Sequence, residues 1–422
     1  MRGASVWARL LGVEGVVIDG VDLEDRGGDE CQVVVSTRIR KQRHRQRCPH
    51  CQRRCPRYDK GEGRRRWRAL DVGVVPVYIE ADAPRVRCEE HGVVVAWVPW
   101  ARHGAAFTRD FEDQTAWLTA RTDRTTVSQL MRIAWKTAGR IVERVSDEMT
   151  RRVDLFAGVR RIGIDEVSFR KGHRYLTVVV DHDSGRMLWA KVGRNEATLH
   201  QFFDLLGPTR SAQIELVSAD AAAWIRNVVA ARCPRATLCL DPFHIVQWAT
   251  EALDAVRRST WNDLRRAGHG ALAKQLKNAR YALWKNPEDL TEKQRGKLAY
   301  IQTANRPLYR AYLLKEQLRE VFKLRGAAGM QLLNLWLDWA QRCQLPAFVR
   351  LAQRIRAHRE GIDAALTHGL SNARVEAANT KVRLLTRLAY GFHSATALIG
   401  LVMLKLGGLC PALPGRTDPR RC

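Results

Sequence analysis

The sequence predicts a mixed α/β protein with smaller modules at its N-terminus. Short β-branched runs alternate with amphipathic helical segments between residues 161 and 241, a pattern typical of a sheet covered by helices. Residues 242 to about 369 have helical periodicity and no convincing strand. Before residue 104, short β-rich runs surround a cluster of cysteines. A chain of 422 residues is long enough for two or three domains.

The composition indicates a polyanionic partner. Lysine and arginine number 71 against 44 aspartate and glutamate residues, a formal net charge of +27. This charge favours nucleic acid first and an acidic membrane second, although an arginine-rich proteome would also raise it. Hydrophobic residues make up 45% of the chain, so we expect folded cores throughout. No run reaches ~18 uncharged apolar residues and no signal-peptide core is present, so we expect an intracellular protein.

Residues 1–104 are predicted to form a small β hairpin followed by a zinc-binding segment. A Cys-Pro-His-Cys turn holds two thiolates on one tight knuckle, and a Cys-Glu-Glu-His stretch adds a thiolate and an imidazole. The preferred ligands are Cys48, Cys51, Cys88 and His91, with His50 and Cys55 as possible substitutes. Four protein ligands leave no open position, so the Zn²⁺ would be structural. A redox pair is disfavoured because no thioredoxin-like βαβ pattern surrounds it, and an unrelated scatter of cysteine and histidine is the other alternative.

Arginines crowd around the second half of this segment. Arg64, Arg65 and Arg66 precede Trp67, a composition that suits phosphate contact and stacking on bases. We therefore expect these arginines to contact DNA.

Residues 105–152 are predicted to be a helix-turn-helix. Three short helical segments follow one another, and the last two are separated by a brief break. The helix that begins near Trp135 would then enter the major groove, with Lys136 and Arg140 among its exposed residues. Any small helical bundle has similar spacing, so the net charge is what favours this interpretation.

Residues 153–247 are predicted to be the first part of an α/β core. Asp165 lies near the end of the first of three strands joined by tight turns. A helix, a strand that ends at Asp220, a second helix and a strand that ends at Asp241 follow. This order of elements is that of the ribonuclease H-like fold. Its first and fourth strands are neighbours, so we expect Asp165 and Asp220 to lie side by side.

Residues 248–369 are predicted to be a helical domain inserted into this core, because so long a block cannot be a loop. Residues 370–422 would complete the core with C-terminal helices. There Glu376 and Asn379 lie one turn apart on one helix, with Lys381 and Arg383 beside them. A glutamate in a basic helix is usually a salt-bridge partner, but this fold can bring Glu376 to the aspartates.

Three carboxylates of this kind suit metal-assisted chemistry on phosphodiesters. Two-metal cleavage uses carboxylates that hold two ions ~4 Å apart. Because Asp165, Asp220 and Glu376 offer hard oxygens, Mg²⁺ or Mn²⁺ is expected. Asp241 also ends a strand, so a rival set could use it in place of Asp220. We prefer Asp220 because its strand abuts the first, which leaves Asp241 and His244 to position other groups or DNA, or to serve only the fold.

Five motifs stand out along the chain. They are Cys48-Pro-His-Cys51, Ile162-Gly-Ile-Asp165, Val217-Ser-Ala-Asp220, Asp241-Pro-Phe-His244 and Ser371-Asn-Ala-Arg-Val-Glu376. Together they resemble the bacterial insertion-sequence transposases of the ISL-three family, over nearly the whole chain. The resemblance implies a DDE triad, carried over as Asp165, Asp220 and Glu376. His91 departs from it, since a cysteine is more usual there, and Ala377-Ala378 replaces a common glycine.

The resemblance also implies a function. We expect a transposase that binds the terminal inverted repeats, frees a 3′-hydroxyl at each end and joins it to target double-stranded DNA. Two ends must be joined, so a homodimer or larger assembly is expected, in the bacterial cytoplasm on the nucleoid. The alternatives are a non-catalytic repressor or domesticated transposase, against which the three intact acids argue, and a plain structure-specific nuclease.

Overall fold

The computed structural model describes residues 3–25, 27, 31–40, 46–170, 172–277, 279–389 and 394–416. The chain divides into two compact units, Met1–Asp154 with Leu388–Cys422, and Leu155–Arg387. In the described ranges, no helix combines the length and the apolar composition needed to cross a membrane.

The first unit begins with two small sheets. Its early elements are α1 (Gly3–Leu10), β1 (Val16–Asp25), β2 (Cys31–Ile39), β3 (Arg57–Asp59), β4 (Arg64–Arg68), β5 (Val77–Asp82), β6 (Arg85–Cys88) and β7 (Gly92–Val95). One sheet has the order β1-β2-β5-β4, in which only β2 and β5 run parallel. The other is antiparallel, with the order β3-β6-β7. The buried rings of Trp67 and Trp100 meet edge to face, 5.4 Å apart, in the core of the larger sheet.

Three helices follow, α2 (Arg109–Thr119), α3 (Arg124–Met131) and α4 (Trp135–Arg152). Asp123 caps α3 by accepting hydrogen bonds from the backbone N–H groups of Thr125 and Thr126, which satisfies donors that a helix start leaves free. The apolar stripe of α4 has the helical spacing that buries one face and consists of Ala138, Ile141, Val142 and Val145. These helices agree with the three predicted from the sequence.

The second unit is built on a five-stranded sheet. Its elements up to the last strand are β8 (Arg161–Arg170), β9 (Arg174–Asp181), β10 (Met187–Val192), α5 (Glu196–Leu206), α6 (Pro208–Ser211), β11 (Leu216–Ala219), α7 (Ala223–Arg232) and β12 (Thr237–Leu240). The strand order is β10-β9-β8-β11-β12, with the first three antiparallel and β11 and β12 parallel to β8. Phe202 of α5 and Ile225 of α7 are fully buried in the core beside this sheet.

From Pro242 to Leu388 the described residues form helices and no strand. The helices are α8 (Pro242–Arg266), α9 (Gly270–Lys277), α10 (Arg280–Trp284), α11 (Glu292–Ala304), α12 (Arg306–Val321), α13 (Gly326–Arg342), α14 (Pro346–Ala357), α15 (Arg359–His368) and α16 (Ala373–Leu388), with a 3-10 turn at Pro287–Asp289. Trp336 and Phe348 lie at the centre of their core. Helix α15 covers β12 closely, since a Cβ at Gly361 would lie 2.7 Å from Leu240 Cγ.

The last helix, α17 (Ala395–Leu406), belongs to the first unit. It packs on α4, and a Cβ at Gly400 would lie only 3.3 Å from Val142 Cγ1. The sequence prediction assigned all of residues 370–422 to the α/β core. Small residues let α17 approach α4 and bury its apolar surface there.

Candidate active site and zinc centre

A cluster of three cysteines and one histidine lies at the tip of the antiparallel sheet. Cys48 and Cys51 come from a tight turn, Cys88 ends β6, and His91 lies in the following turn. His91 Nδ1 is 3.7 Å from Cys48 Sγ and 3.6 Å from Cys88 Sγ, and the Sγ atoms of Cys51 and Cys88 are 3.7 Å apart. Ligand atoms in a tetrahedral site with Zn–S bonds of ~2.3 Å lie about 3.7 Å apart. The geometry therefore fits a structural Zn²⁺.

The local backbone explains why these ligands converge. Gln52 has a left-handed φ of 59°, and Cys48 N donates to Arg53 O at 3.0 Å, which closes the turn. The hydrogen bond from His91 lowers the pKa of the Cys88 thiol to about 6, so this sulfur is readily a thiolate, the form that binds metal.

Neither possible substitute belongs to this ligand group. Across the described residues, the only set with all ligand atoms within 4.8 Å of one another is Cys48, Cys51, Cys88 and His91. The buried Cys55 thiol donates to Arg53 O at 3.4 Å, and the His50 ring stacks on His91 at 4.9 Å. These two residues therefore pack around the site.

The arginines of β4 have protein partners. Arg64 Nε lies 2.8 Å from Glu80, and Arg66 bridges Glu80 at 2.8 Å and Glu24 at 2.7 Å. Arg65 donates to Ala105 O at 2.6 Å. For Arg64 and Arg66 to contact phosphate, the phosphate would have to replace the carboxylates of Glu24 and Glu80.

The turn between α3 and α4 has helix-turn-helix geometry. Arg132 takes a left-handed conformation, with a φ of 51°, directly after α3, and α4 begins three residues later. Lys136 and Arg140 are exposed in the first two turns of α4. These are the residues that the sequence predicts to contact DNA.

Three aspartates lie in one row across the second unit's sheet. Ser218 of β11 pairs with Gly163 of β8, so Asp220, two residues on, is level with Asp165. Ala219 pairs with Leu240 of β12, so Asp241 is level with Asp220. The expected neighbourhood of Asp165 and Asp220 thus follows from the strand register, and Asp241 extends the row.

The Asp165 carboxylate is held by two hydrogen bonds. Its Oδ1 accepts from Glu166 N at 2.7 Å and its Oδ2 accepts from Asn379 Nδ2 at 2.8 Å. The pKa of Asp165 is raised to about 6, first by burial and also by the charges of Asp220 and Asp241, while the Glu166 N–H and His244 oppose the rise. This is clustered negative charge of the kind that a cation offsets.

Asp241 and Asp220 differ in their surroundings. Asp241 is 2% exposed, and its oxygens accept from Asn372 N at 3.2 Å and contact His244 Nδ1 at 2.9 Å. Asp220 is half-buried and accepts a hydrogen bond from Ala222 N at 3.0 Å. The hydrogen bond between His244 Nδ1 and Asp241 raises the pKa of His244. Asp241 is therefore occupied by protein groups, while Asp220 is more open.

Glu376 lies in the first turn of α16 and faces the same cluster. Burial raises the pKa of Glu376, the Asp241 charge raises it further, and His244 and Arg383 oppose the rise. Lys381 and Arg383 are exposed on α16. Asn379, one turn after Glu376, is 2% exposed and its Oδ1 has no hydrogen-bond partner among the described residues.

Sequence reasoning missed two groups at this site. Glu166 is half-buried beside the row, where burial and then the Asp220 charge raise its pKa, and Arg194 pairs with it at 3.1 Å. Asn372 is fully buried and contacts the residues around the aspartates. In the sequence, Glu166 directly follows Asp165 and Asn372 lies inside the motif that begins at Ser371, and these positions could have indicated both residues.

Comparisons with known proteins match three parts of the chain. Residues 44–91 match the family model of a zinc-finger of transposase IS204/IS1001/IS1096/IS1165. Residues 98–146 match a helix-turn-helix domain of transposase family ISL3. Residues 162–402 match a transposase domain of the DDE class of ISL3. These modules, with an acid-lined α/β sheet, define a transposase of an insertion sequence.

Relatives extend the match over the whole chain. The transposase for insertion sequence element IS1557 of Mycobacterium tuberculosis is 54% identical over 437 residues, 99% of this chain and 98% of the relative. The transposase for insertion sequence element IS1001 of Bordetella parapertussis is 28% identical over 349 residues, 82% and 85% of the two chains. The chain belongs to the ISL3 family of transposases. The predicted family, zinc-binding segment and helix-turn-helix are thereby confirmed, and the two modules imply DNA binding.

Proposed function

We propose that this transposase cleaves the ends of its element and joins the freed 3′-hydroxyl to target DNA by two-metal phosphoryl transfer on a ribonuclease H-like core. The observation that carries the proposal is the row of Asp165, Asp220 and Asp241, which Glu376 faces from α16. The strand order, three antiparallel strands followed by two parallel ones, supports the fold assignment. The helices from residue 248 to 369 would be an insertion in this core.

The proposed metal ligands are Asp165, Asp220 and Glu376. Their hard oxygens suit Mg²⁺ or Mn²⁺, and the raised pKa of Asp165, caused first by burial, fits a site designed to receive positive charge. The carboxylate oxygens need not lie as close together as the ligands of one ion do. Two ions ~4 Å apart would share them, so the ligands spread over a wider region. Asp220 is preferred to Asp241 because hydrogen bonds to Asn372 and His244 engage both oxygens of Asp241.

The chain's own groups would prepare the reaction. When bound, the divalent cations would activate the attacking oxygen and stabilise the leaving oxygen. Asn379 and the backbone N–H of Glu166 fix the orientation of the Asp165 carboxylate. His244, held through Nδ1 by Asp241, would offer its other ring nitrogen to the DNA backbone. The exposed cations Lys381 and Arg383 would contact phosphates.

DNA recognition would fall to the N-terminal modules. Residues 1–104 would bind along the DNA backbone and residues 105–152 would read the terminal inverted repeats with α4, through Lys136 and Arg140. Arg64, Arg65 and Arg66 would contribute by exchanging their carboxylate partners for phosphate. Joining two ends requires two active sites in one complex, so a dimer or larger assembly is proposed.

Cleavage of a labelled element end in Mn²⁺ tests the catalytic proposal. Asp165→Ala, Asp220→Ala and Glu376→Ala should each abolish cleavage while binding to the end is retained. Asp263→Ala is the matched control, because this acid is exposed on α8. If Asp220→Ala keeps full cleavage while Asp241→Ala loses it, Asp241 is the second ligand. If all these variants cleave like the wild type, the protein is not this kind of enzyme.

A second assay separates the alternatives. A labelled, pre-cleaved end and a plasmid target should give joined products with the wild type. A structure-specific nuclease would cleave the end without joining it, and a repressor would bind the end without doing either.

A further inference from the structure

Asn372 sits where the acids of the proposed active site meet. Its side chain is fully buried between the sheet and the start of α16. The residue precedes α16, and its carbonyl accepts the first helical hydrogen bond, from Glu376 N at 2.8 Å. An asparagine at a helix start ordinarily uses its side chain to cap the helix.

Here the side chain binds the sheet. Asn372 Nδ2 donates to the carbonyl of Ile164 at 3.4 Å, directly before Asp165. Asn372 Oδ1 accepts the hydroxyl of Ser218, two residues before Asp220. The backbone N–H donates to Asp241 Oδ1 at 3.2 Å. One residue thus joins three neighbouring strands to the helix that carries Glu376.

Two further contacts hold the same helix start. Ser218 Oγ is also 2.6 Å from His182 Nε2, and His182 is buried. Arg374, in the first turn of α16, donates to the carbonyls of His182 and Asp183, the latter at 2.9 Å. The contacts that hold the start of α16 therefore extend from the end of β12 to the turn after β9.

From this geometry we propose that Asn372 is a positioning residue that sets the distance between Glu376 and the aspartate row. The inference rests on the function proposed above. If Asn372 served only stability, its replacement would lower the unfolding temperature and leave metal affinity and cleavage rate unchanged. Replacement of a positioning residue would lower both, because displacement of a ligand by ~1 Å is enough to cost about 100-fold in rate.

Asn372→Ser is the sharpest variant. Serine is also a good helix cap, but it is too short to bind β8 and β11 together. Val229→Ala is the control for lost stability, since Val229 is buried on α7, in the core beside the sheet and outside the site. Both variants are made in the full-length, zinc-loaded protein, and thermal unfolding is measured for each.

The decisive readouts are Mn²⁺ affinity, followed by the electron paramagnetic resonance of free Mn²⁺, and the rate of end cleavage at saturating DNA. Asn372→Ser should weaken Mn²⁺ binding about tenfold and slow cleavage about 100-fold, with end binding within twofold of wild type. Val229→Ala should leave both readouts at wild-type values. If Asn372→Ser changes only the unfolding temperature, or if both variants lose affinity and rate alike, Asn372 is merely structural. Asp165→Asn is run beside them, because if that variant also cleaves, the proposed function itself has failed.

Discussion

Gly163 leaves no room for a side chain, and this predicts how Gly163→Ala will behave. A Cβ at this position would overlap Val375 Cγ2 on α16 and would lie 2.9 Å from His182 Nε2 and 3.1 Å from Ser218 Oγ. Carbon atoms pack at about 3.5–4.0 Å, so Val375 must retreat by roughly 1 Å or more. Glu376 is the next residue and must move with it.

Two magnitudes follow from this overlap. Overpacking a core costs about 1–3 kcal/mol, and each kcal/mol lowers the unfolding temperature of a unit this size by about 2–4 °C. A shift of ~1 Å in a ligand reduces the rate by about 100-fold. We therefore expect Gly163→Ala to remain folded at 25 °C but to cleave element ends about 100-fold more slowly than wild type.

A second substitution tests the cause. Val375→Ala removes the methyl groups that the new Cβ meets, so the double variant should cleave faster than Gly163→Ala alone. Scanning fluorimetry and single-turnover cleavage of a labelled end measure the two effects. Wild-type cleavage by Gly163→Ala, or no gain in the double variant, would refute the idea that close approach of β8 and α16 sets the site.

Three further predictions concern other parts of the chain. His91→Ala should lose the bound zinc, while His50→Ala should keep one zinc per chain. Inductively coupled plasma mass spectrometry measures the zinc content, and the reverse outcome would make His50 the ligand instead of His91. Arg140→Ala should weaken end binding and reduce the slope of log affinity against log salt by about 0.9 if it contacts one phosphate, whereas Arg151→Ala, exposed at the other end of α4, should not. Burial lowers the pKa of His182 to about 4, below the ~6.5 of the unfolded chain. The stability that this histidine contributes is therefore complete above pH ~6.5 and falls by up to roughly 3 kcal/mol as the pH drops to 4. His182→Gln should flatten this part of the pH dependence of urea unfolding, and an unchanged slope would contradict it.

Local patterns in the sequence were enough to predict the modules. The spacing of Cys48, Cys51, Cys88 and His91 depends on two short turns, and such turns are dictated by residues close in the chain. The helix starts near Asp123 and Trp135 are equally local, since caps and periodicity act over a few residues. For the same reason the five strands of the sheet and their strand-end acids could be found.

Other features depend on which distant segments meet. The pairings Ser218 with Gly163 and Ala219 with Leu240 put Asp241 in the same row as Asp165 and Asp220. The salt bridges of Arg64 and Arg66 with Glu80 likewise arise from strand pairing. The sequence shows only a run of arginines, from which DNA contact is predicted, and it does not show their carboxylate partners.

The sequence by itself determined the family, the zinc ligands, the helix-turn-helix and the acids that end the strands, because each is encoded in residues near one another. Only the tertiary structure decided that α17 packs on α4, that Asp241 is engaged by Asn372 and His244, and that Asn372 joins three strands to α16. The contacts of Asn372 with Ser218, Asp241 and Ile164 link residues more than 100 positions apart. Their energies come from burial and hydrogen bonding that exist only once the sheet has assembled.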